Sequence, residues 1–163
     1  MTEAKQAPIS PRRKRAGLIA SLNRALREAS GLGAVFGEAI ARRLGINSTD
    51  LECLGVIMDS GRITAGGLAK AMGLTTGAIT GVIDRLEKAK LARRARDPAD
   101  RRKVNVRVTD AAGAKAGVYY GSLSRAADRL AATYTDAEIA LFLDYFSRSR
   151  DIMVREIEKL RKL

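Results

Sequence analysis

The sequence predicts a mainly α-helical chain that carries one small β-hairpin. Three observations lead there. Hydrophobic residues make up 46% of the 163, yet aromatics only 4%, so Ala, Leu, Ile and Val must build the core, which suits helices better than a sandwich. Apolar residues recur at helical spacing through most of the chain. Between residues 91 and 109 the period changes to two. There, Leu91–Ala95 and Val104–Thr109 flank the basic segment Asp97-Pro98-Ala99-Asp100-Arg101-Arg102. Helix, turn, helix, then a hairpin with a basic tip is the order of a winged helix-turn-helix, here with long helices at both ends of the chain.

Residues 1–11 are polar and hold Pro8 and Pro11, and are expected to form a disordered tail. A dimerisation helix is expected over 12–46. Leu18, Leu22 and Leu26 start its apolar stripe, and Phe36, Ile40 and Leu44 resume it. Gly31, Gly33 and Gly37 interrupt that stripe and predict a kink or a close backbone contact. The DNA-binding region is expected over 47–110. Thr49-Asp50-Leu51-Glu52 fits a capping box that opens a helix from Asp50 to Asp59, stopped by Ser60-Gly61. Arg62-Ile63-Thr64 fits a short strand, with Thr64 capping a helix from Ala65 to Met72. Gly73 suits the left-handed stop of that helix.

Thr75 caps the next helix, Thr76 to Ala89. Its Ile79, Val82, Ile83 and Leu86 fall at i, i+3, i+4 and i+7 and form an inward stripe, which turns Thr76, Thr80 and Gly81 to other faces. After the hairpin, residues 111–163 are expected to be dimerisation helices. Thr109-Asp110 opens one that reaches about Tyr134. Thr135 caps the last, whose stripe runs through Ile139, Phe142, Leu143, Phe146, Met153, Ile157 and Leu160. That stripe is too long and too apolar for a small winged helix to cover alone, so pairing with a second copy is expected.

The net charge of +12 is unevenly placed. Residues 85–107 hold ten Lys or Arg against three Asp or Glu, and residues 1–30 hold seven against two. Such a surplus at one hairpin and one terminus fits a phosphate-binding footprint. The Arg12-Arg13-Lys14-Arg15 run reads either as a solvated tail or as a further phosphate contact. The chain has no histidine, and Cys53 is its single cysteine, which excludes an internal disulfide, a Cys/His zinc site and histidine-based catalysis. Cys53 sits among apolar neighbours and reads as a small buried thiol. No catalytic residue, metal site or cofactor is expected, and the chain is not expected to be an enzyme. No apolar run spans a membrane and no signal peptide is visible, so a cytoplasmic protein is expected. Tyr119, Tyr120 and Tyr134 either pack between helices or line a ligand pocket.

Two segments in register carry a resemblance: Ile79-Thr80-Gly81-Val82-Ile83-Asp84-Arg85-Leu86-Glu87, and the Asp-Pro-x-Asp-Arg-Arg wing that ends at Val108-Thr109-Asp110-Ala111-Ala112-Gly113. Over about residues 30–113 the chain resembles the MarR family of bacterial transcription regulators. The resemblance implies a homodimer on palindromic promoter DNA, usually a repressor released by a small ligand or oxidant. It also implies that Thr75, Thr76, Gly77, Thr80 and Gly81 face the major groove and that Arg102 enters the minor groove, with Asp100 fixing the tip. Arg85 would support the wing or touch phosphate, and Arg93, Arg101 and Lys103 complete the DNA-binding set. Two positions depart from the family. Gly81 stands where many relatives carry arginine, and Lys90 where they commonly carry glycine, so a positive φ there would strain the lysine.

The expected function is a homodimeric, sequence-specific transcription regulator with double-stranded DNA and a second copy of itself as partners, and a small-molecule effector of unknown identity. The alternative is an architectural or nucleoid-type protein with little sequence preference.

Overall fold

The computed structural model describes residues 11–97 and 104–162, with the side chains of Pro11 and Arg13 outside that description. It divides into two compact units, Met1–Gly113 and Ala114–Leu163, with the boundary inside a helix. The first unit contains α1 (Pro11–Leu44), α2 (Ser48–Ser60), β1 (Ile63–Thr64), α3 (Ala65–Met72), α4 (Thr76–Lys88), β2 (Ala92–Arg96) and β3 (Val104–Val108). Helix α5 (Asp110–Ala131) crosses into the second unit, which ends with α6 (Asp136–Leu160). The expected mainly helical chain with a winged hairpin is present, and β1 adds a third strand to the hairpin.

Pro11 is already helical, at the first turn where its missing N–H is not needed. The expected tail otherwise lies outside the described residues. Helix α1 runs unbroken for 34 residues, about 50 Å, through all three glycines. A Cβ at Gly31 or Gly33 would meet nothing within 4 Å, and one at Gly37 would only touch Leu51 at 3.8 Å. The close backbone contact expected there is absent, because this stretch of α1 is largely exposed.

Helix α2 starts two residues earlier than its sequence suggests. Asn47, not Thr49, is the cap: its side chain accepts from Asp50 N at 2.8 Å, and Asp50 Oδ2 accepts from Asn47 N at 3.4 Å. An asparagine followed three residues later by an acid satisfies the same two donors as a Thr–Glu box, and it leaves Asp50 facing inward. Thr64 and Thr75 cap α3 and α4 by accepting from Gly67 N at 3.1 Å and Ala78 N at 3.2 Å. Thr109 opens α5 by accepting from Ala112 N at 3.1 Å. Thr135 and Glu138 form a full capping box on α6, and α5 ends at Ala131 rather than near Tyr134.

The sheet order is β1-β3-β2, all antiparallel. Its register sets Ile63 and Arg94 on either side of Val106, and Ala92 opposite Val108. One face of the sheet and the inner faces of α2, α3 and α4 enclose the core. Ile57, Leu68, Ile79, Ile83, Leu86, Leu91 and Val106 have almost no exposure, and each such burial stabilises by about 1.5–3 kcal/mol. In the second unit, Tyr134 meets Phe142 edge-to-face with centroids 5.2 Å apart.

Three helices end in the same way. After α1, Ile46 N donates to Ala41 O and Gly45 N to Arg42 O; after α3, Leu74 N donates to Ala69 O and Gly73 N to Lys70 O. After α4 the pattern repeats, with Leu91 N on Leu86 O and Lys90 N on Glu87 O, both 2.9 Å. This double closure needs a left-handed residue at its centre. Gly45 and Gly73 supply it freely at φ 70° and 65°, but at the third site Lys90 is held at φ 60°. Leu91 is thereby consumed in the closure, and this is why β2 begins at Ala92 rather than at Leu91. Lys90→Gly should relieve the strain by more than the added freedom of the unfolded chain costs, a net gain of about 0.5–1 kcal/mol. Urea denaturation would report it as a higher midpoint at unchanged slope; a lower midpoint would contradict the strain.

Candidate nucleic-acid interface

The turn between α3 and α4 is set by Gly73 and Thr75, and α4 is oriented by its buried Ile79, Val82, Ile83 and Leu86. Everything else on α4 is consequently turned outward. Thr75, Thr76, Gly77, Thr80, Arg85 and Lys88 are exposed, and Gly81 is half-buried. Thr80 Oγ1 donates to Thr76 O at 3.0 Å. Its proton is thus committed to the helix, and the hydroxyl faces solvent as an acceptor beside its methyl group.

Arg85 is differently placed from the wing support or phosphate contact expected of it. Its Nε lies 3.1 and 2.9 Å from Asp50 Oδ1 and Oδ2, and its Nη2 lies 2.7 Å from Oδ1. The carboxylate it holds is fully buried in α2, and hydrogen bonding to it raises the guanidinium pKa still further. A Cβ at Gly81 would stand 3.4 Å from Arg85 Nη1. Glycine there leaves room for the guanidinium edge that an arginine side chain would crowd.

The wing is tied to α4 by a residue that sequence reasoning passed over. Arg94 of β2 pairs with Asp84 at 2.8 Å through Nη2 and with Glu87 through Nη1, and its backbone N donates to Glu87 Oε1 at 2.7 Å. Arg94 shares the inner sheet face with Ala92, Val106 and Val108, and Asp84 and Glu87 sit one turn apart on α4. That alternation and the i, i+3 spacing were the available signal. At the far end of the strand, Asn105 Nδ2 donates to Asp97 Oδ2 at 2.7 Å, and Arg62 Nη1 approaches the same oxygen at 3.7 Å.

Arg93 is exposed on the outer sheet face, directly opposite Arg107. Among the described residues neither makes an ion pair, and like charges in register are destabilising until an anion meets them. Asp100, Arg101, Arg102 and Lys103 lie outside the described residues. The site that the structure brings together is therefore the outer face of α4 with the two strands of the wing.

Comparisons with known proteins bear on what this site is for. A family model described as MarR matches residues 46–104. The HTH-type transcriptional regulator YcgE of Bacillus subtilis is 36% identical over 128 residues, which cover 78% of this chain and 83% of that one. The chain belongs to the MarR family. It is a DNA-binding transcriptional regulator, of a family of regulators rather than enzymes. Solved structures share the fold. The Thermotoga maritima regulator Tm0710 is similar with a TM-score of 0.59 at 24% identity, over 85% of this chain and 98% of that one. Wild-type apo MarR from E. coli is similar at 0.53 and 23%, over 78% and 95%. A mutant MepR from an S. aureus clinical isolate is similar at 0.66 and 16%, over 81% and 96%. No helix among the described residues is long and apolar enough to cross a membrane.

In this MarR-family chain Cys53 is fully buried in α2. Burial, reinforced by the nearby Asp50 and Glu52 charges, pushes its thiol up to about 11. At pH 8 only about one thiol in a thousand would then be the reactive thiolate. The native protein should react with a disulfide reagent at least roughly a hundred times more slowly than the urea-unfolded chain. Comparable rates in the two states, followed by absorbance of the released thiol, would show that Cys53 is accessible after all.

Proposed function

We infer that the chain is a homodimeric repressor of the cytoplasm that binds a palindromic promoter site and releases it when a small molecule changes the dimer's geometry. One observation carries this reading: among the described residues, nothing covers the apolar stripe of α6 or that of the first two thirds of α1. Helix α6 buries none of its 25 residues, and Leu141, Phe142, Leu143, Phe146, Met153, Ile157 and Leu160 are all exposed. Leu18, Ile19, Leu22, Leu32 and Val35 on α1 are exposed as well. Apolar surface on that scale marks an association face. A second copy supplies the same stripes, and two-fold pairing duplicates α4. The proposed division of labour is dimerisation by residues 12–46 and 111–163 and DNA binding by 47–110.

Two α4 helices related by a two-fold axis read two half-sites about one helical turn, roughly 34 Å, apart. Thr75, Thr76, Gly77, Thr80 and Gly81 form the surface that enters the major groove. The short side chains permit close approach, and the outward acceptor of Thr80 suits an amino group of adenine or cytosine. Arg93 contacts phosphate, Arg102 enters the minor groove with Asp100 orienting it, and Arg101 and Lys103 add phosphate contacts. With few long polar side chains on α4, discrimination leans on groove shape and the wing. An effector shifts this equilibrium only by favouring a dimer in which the two α4 helices no longer match the half-site spacing.

Leu143→Glu combined with Phe146→Glu tests the dimer without disturbing a monomer's core, since the two residues are 68% and 55% exposed. Sedimentation should find the parent dimeric and the variant monomeric, with operator affinity reduced by at least about a hundredfold through lost avidity. A variant that sediments as a dimer removes α6 from the interface. Arg102→Ala tests the wing. It should weaken operator binding by about 1–3 kcal/mol and lower the salt slope by roughly one ion. An architectural protein would instead bind operator and random duplex equally, both before and after the change.

A further inference from the structure

Asp50 is a full-length carboxyl side chain with no solvent exposure, placed at the start of α2 where helix-capping acids are ordinarily solvated. Its capping duty engages only Asn47. The rest of its hydrogen-bonding capacity goes to Arg85, thirty-five residues away, through the three short contacts from Nε and Nη2. A guanidinium held edge-on by both carboxylate oxygens is fixed in plane as well as in position. The same N-terminus of α2 is held from α1, where Glu38 accepts from Ser48 Oγ and from Arg42 Nε at 3.0 Å. Asp50 therefore joins α4 to the end of α2 that is also tied to α1.

Arg85 is nevertheless half exposed, and its Nη1 edge lies over Gly81. It is one of two exposed cations on α4, the other being Lys88. Left without a partner, a mobile arginine at this place would seek any phosphate, and a phosphate contact carries no sequence information. We propose that Asp50 is a specificity-determining positioning residue, whose carboxylate withholds Arg85 from the DNA backbone and fixes the rotation of α4 about its own axis. The inference rests on α4 being the helix that enters the groove. Its consequence is asymmetric: losing the carboxylate weakens operator binding while strengthening attachment to random DNA.

The test uses the full-length protein, an operator duplex selected from a random pool with the parent, and a random duplex, each measured across a range of salt. Asp50→Asn keeps the shape of the side chain and removes its charge. Random-duplex affinity should rise a few-fold, its salt slope should steepen by about one ion as Arg85 finds a phosphate, and the operator-to-random ratio should fall at least about tenfold. Adding Arg85→Gln to that variant should return the slope to the parental value without restoring the ratio. Arg85→Lys keeps the charge but loses the two-pronged hold, so it should reproduce the steeper slope, and it decides the matter if Asp50→Asn does not fold. A parallel loss of both affinities at unchanged slope in the folded variants would overturn the proposal, leaving Asp50 a purely structural group. A parent that shows no operator preference at all would instead overturn the reading of α4 as a sequence reader.

Discussion

The inward stripe of α4 is the constraint on which the rest of this protein depends. Ile79, Val82, Ile83 and Leu86 are nearly inaccessible, so α4 has a single orientation in which its apolar surface is satisfied. Fixing that face also fixes the opposite one. The threonines and glycines turned to solvent owe their placement to that buried stripe, even where Thr75 also caps the helix and Thr80 donates to Thr76 O. They are what remains once the core has taken its share. An outer surface obtained in this way is held firmly by the core, and little ordering entropy is left to be lost when it meets another molecule.

Polar ties then remove the freedoms that apolar packing leaves. A helix lying on a core can still roll slightly about its axis, because dispersion contacts are non-directional. Arg85 on Asp50 and Arg94 on Asp84 and Glu87 are directional, and they act on opposite sides of α4. The first joins the helix to α2 and the second joins it to the wing. The backbone closure at Lys90 and the bond from Thr109 Oγ1 to Lys90 O, 2.7 Å long, complete the frame between α4, β2 and the start of α5. Lys90 keeps an unfavourable φ because this frame over-determines it.

The terminal helices follow a different logic. Helix α1 is capped at its end and α6 at both, and α6 carries paired side chains such as Arg148 with Asp144 along its outer surface. The local signals of α6 are therefore complete. Among the described residues, the apolar stripe of α6 and that of the first part of α1 remain exposed, whereas Ile40 and Ala41 at the other end of α1 are buried.

Much of this was legible in the sequence, because local chemistry specifies local structure. Thr64, Thr75 and Thr135 announce three helix starts, Gly73 announces a stop, and the alternation in Val104-Asn105-Val106-Arg107-Val108 announces a strand, since capping and periodicity act over four or five residues. The same reasoning placed the α4 threonines outward. It went astray where two signals competed within one turn, as at Asn47 and Thr49, and burial of Asp50 decided between them. It expected Arg85 to support the wing or touch phosphate, and it was silent on Arg94, which looked like one more member of a basic surface. Only the tertiary structure could show that both are committed to acids brought close by folding, 35 residues away for Arg85 and 7 and 10 for Arg94. A charge in a sequence has a sign but no distance, and its interaction energy depends on the distance and the solvent around it. The sequence by itself determined where helices and strands begin and which face of each is apolar. The packing of α2, α4 and the sheet decided which arginines are free to meet another molecule and which are already held.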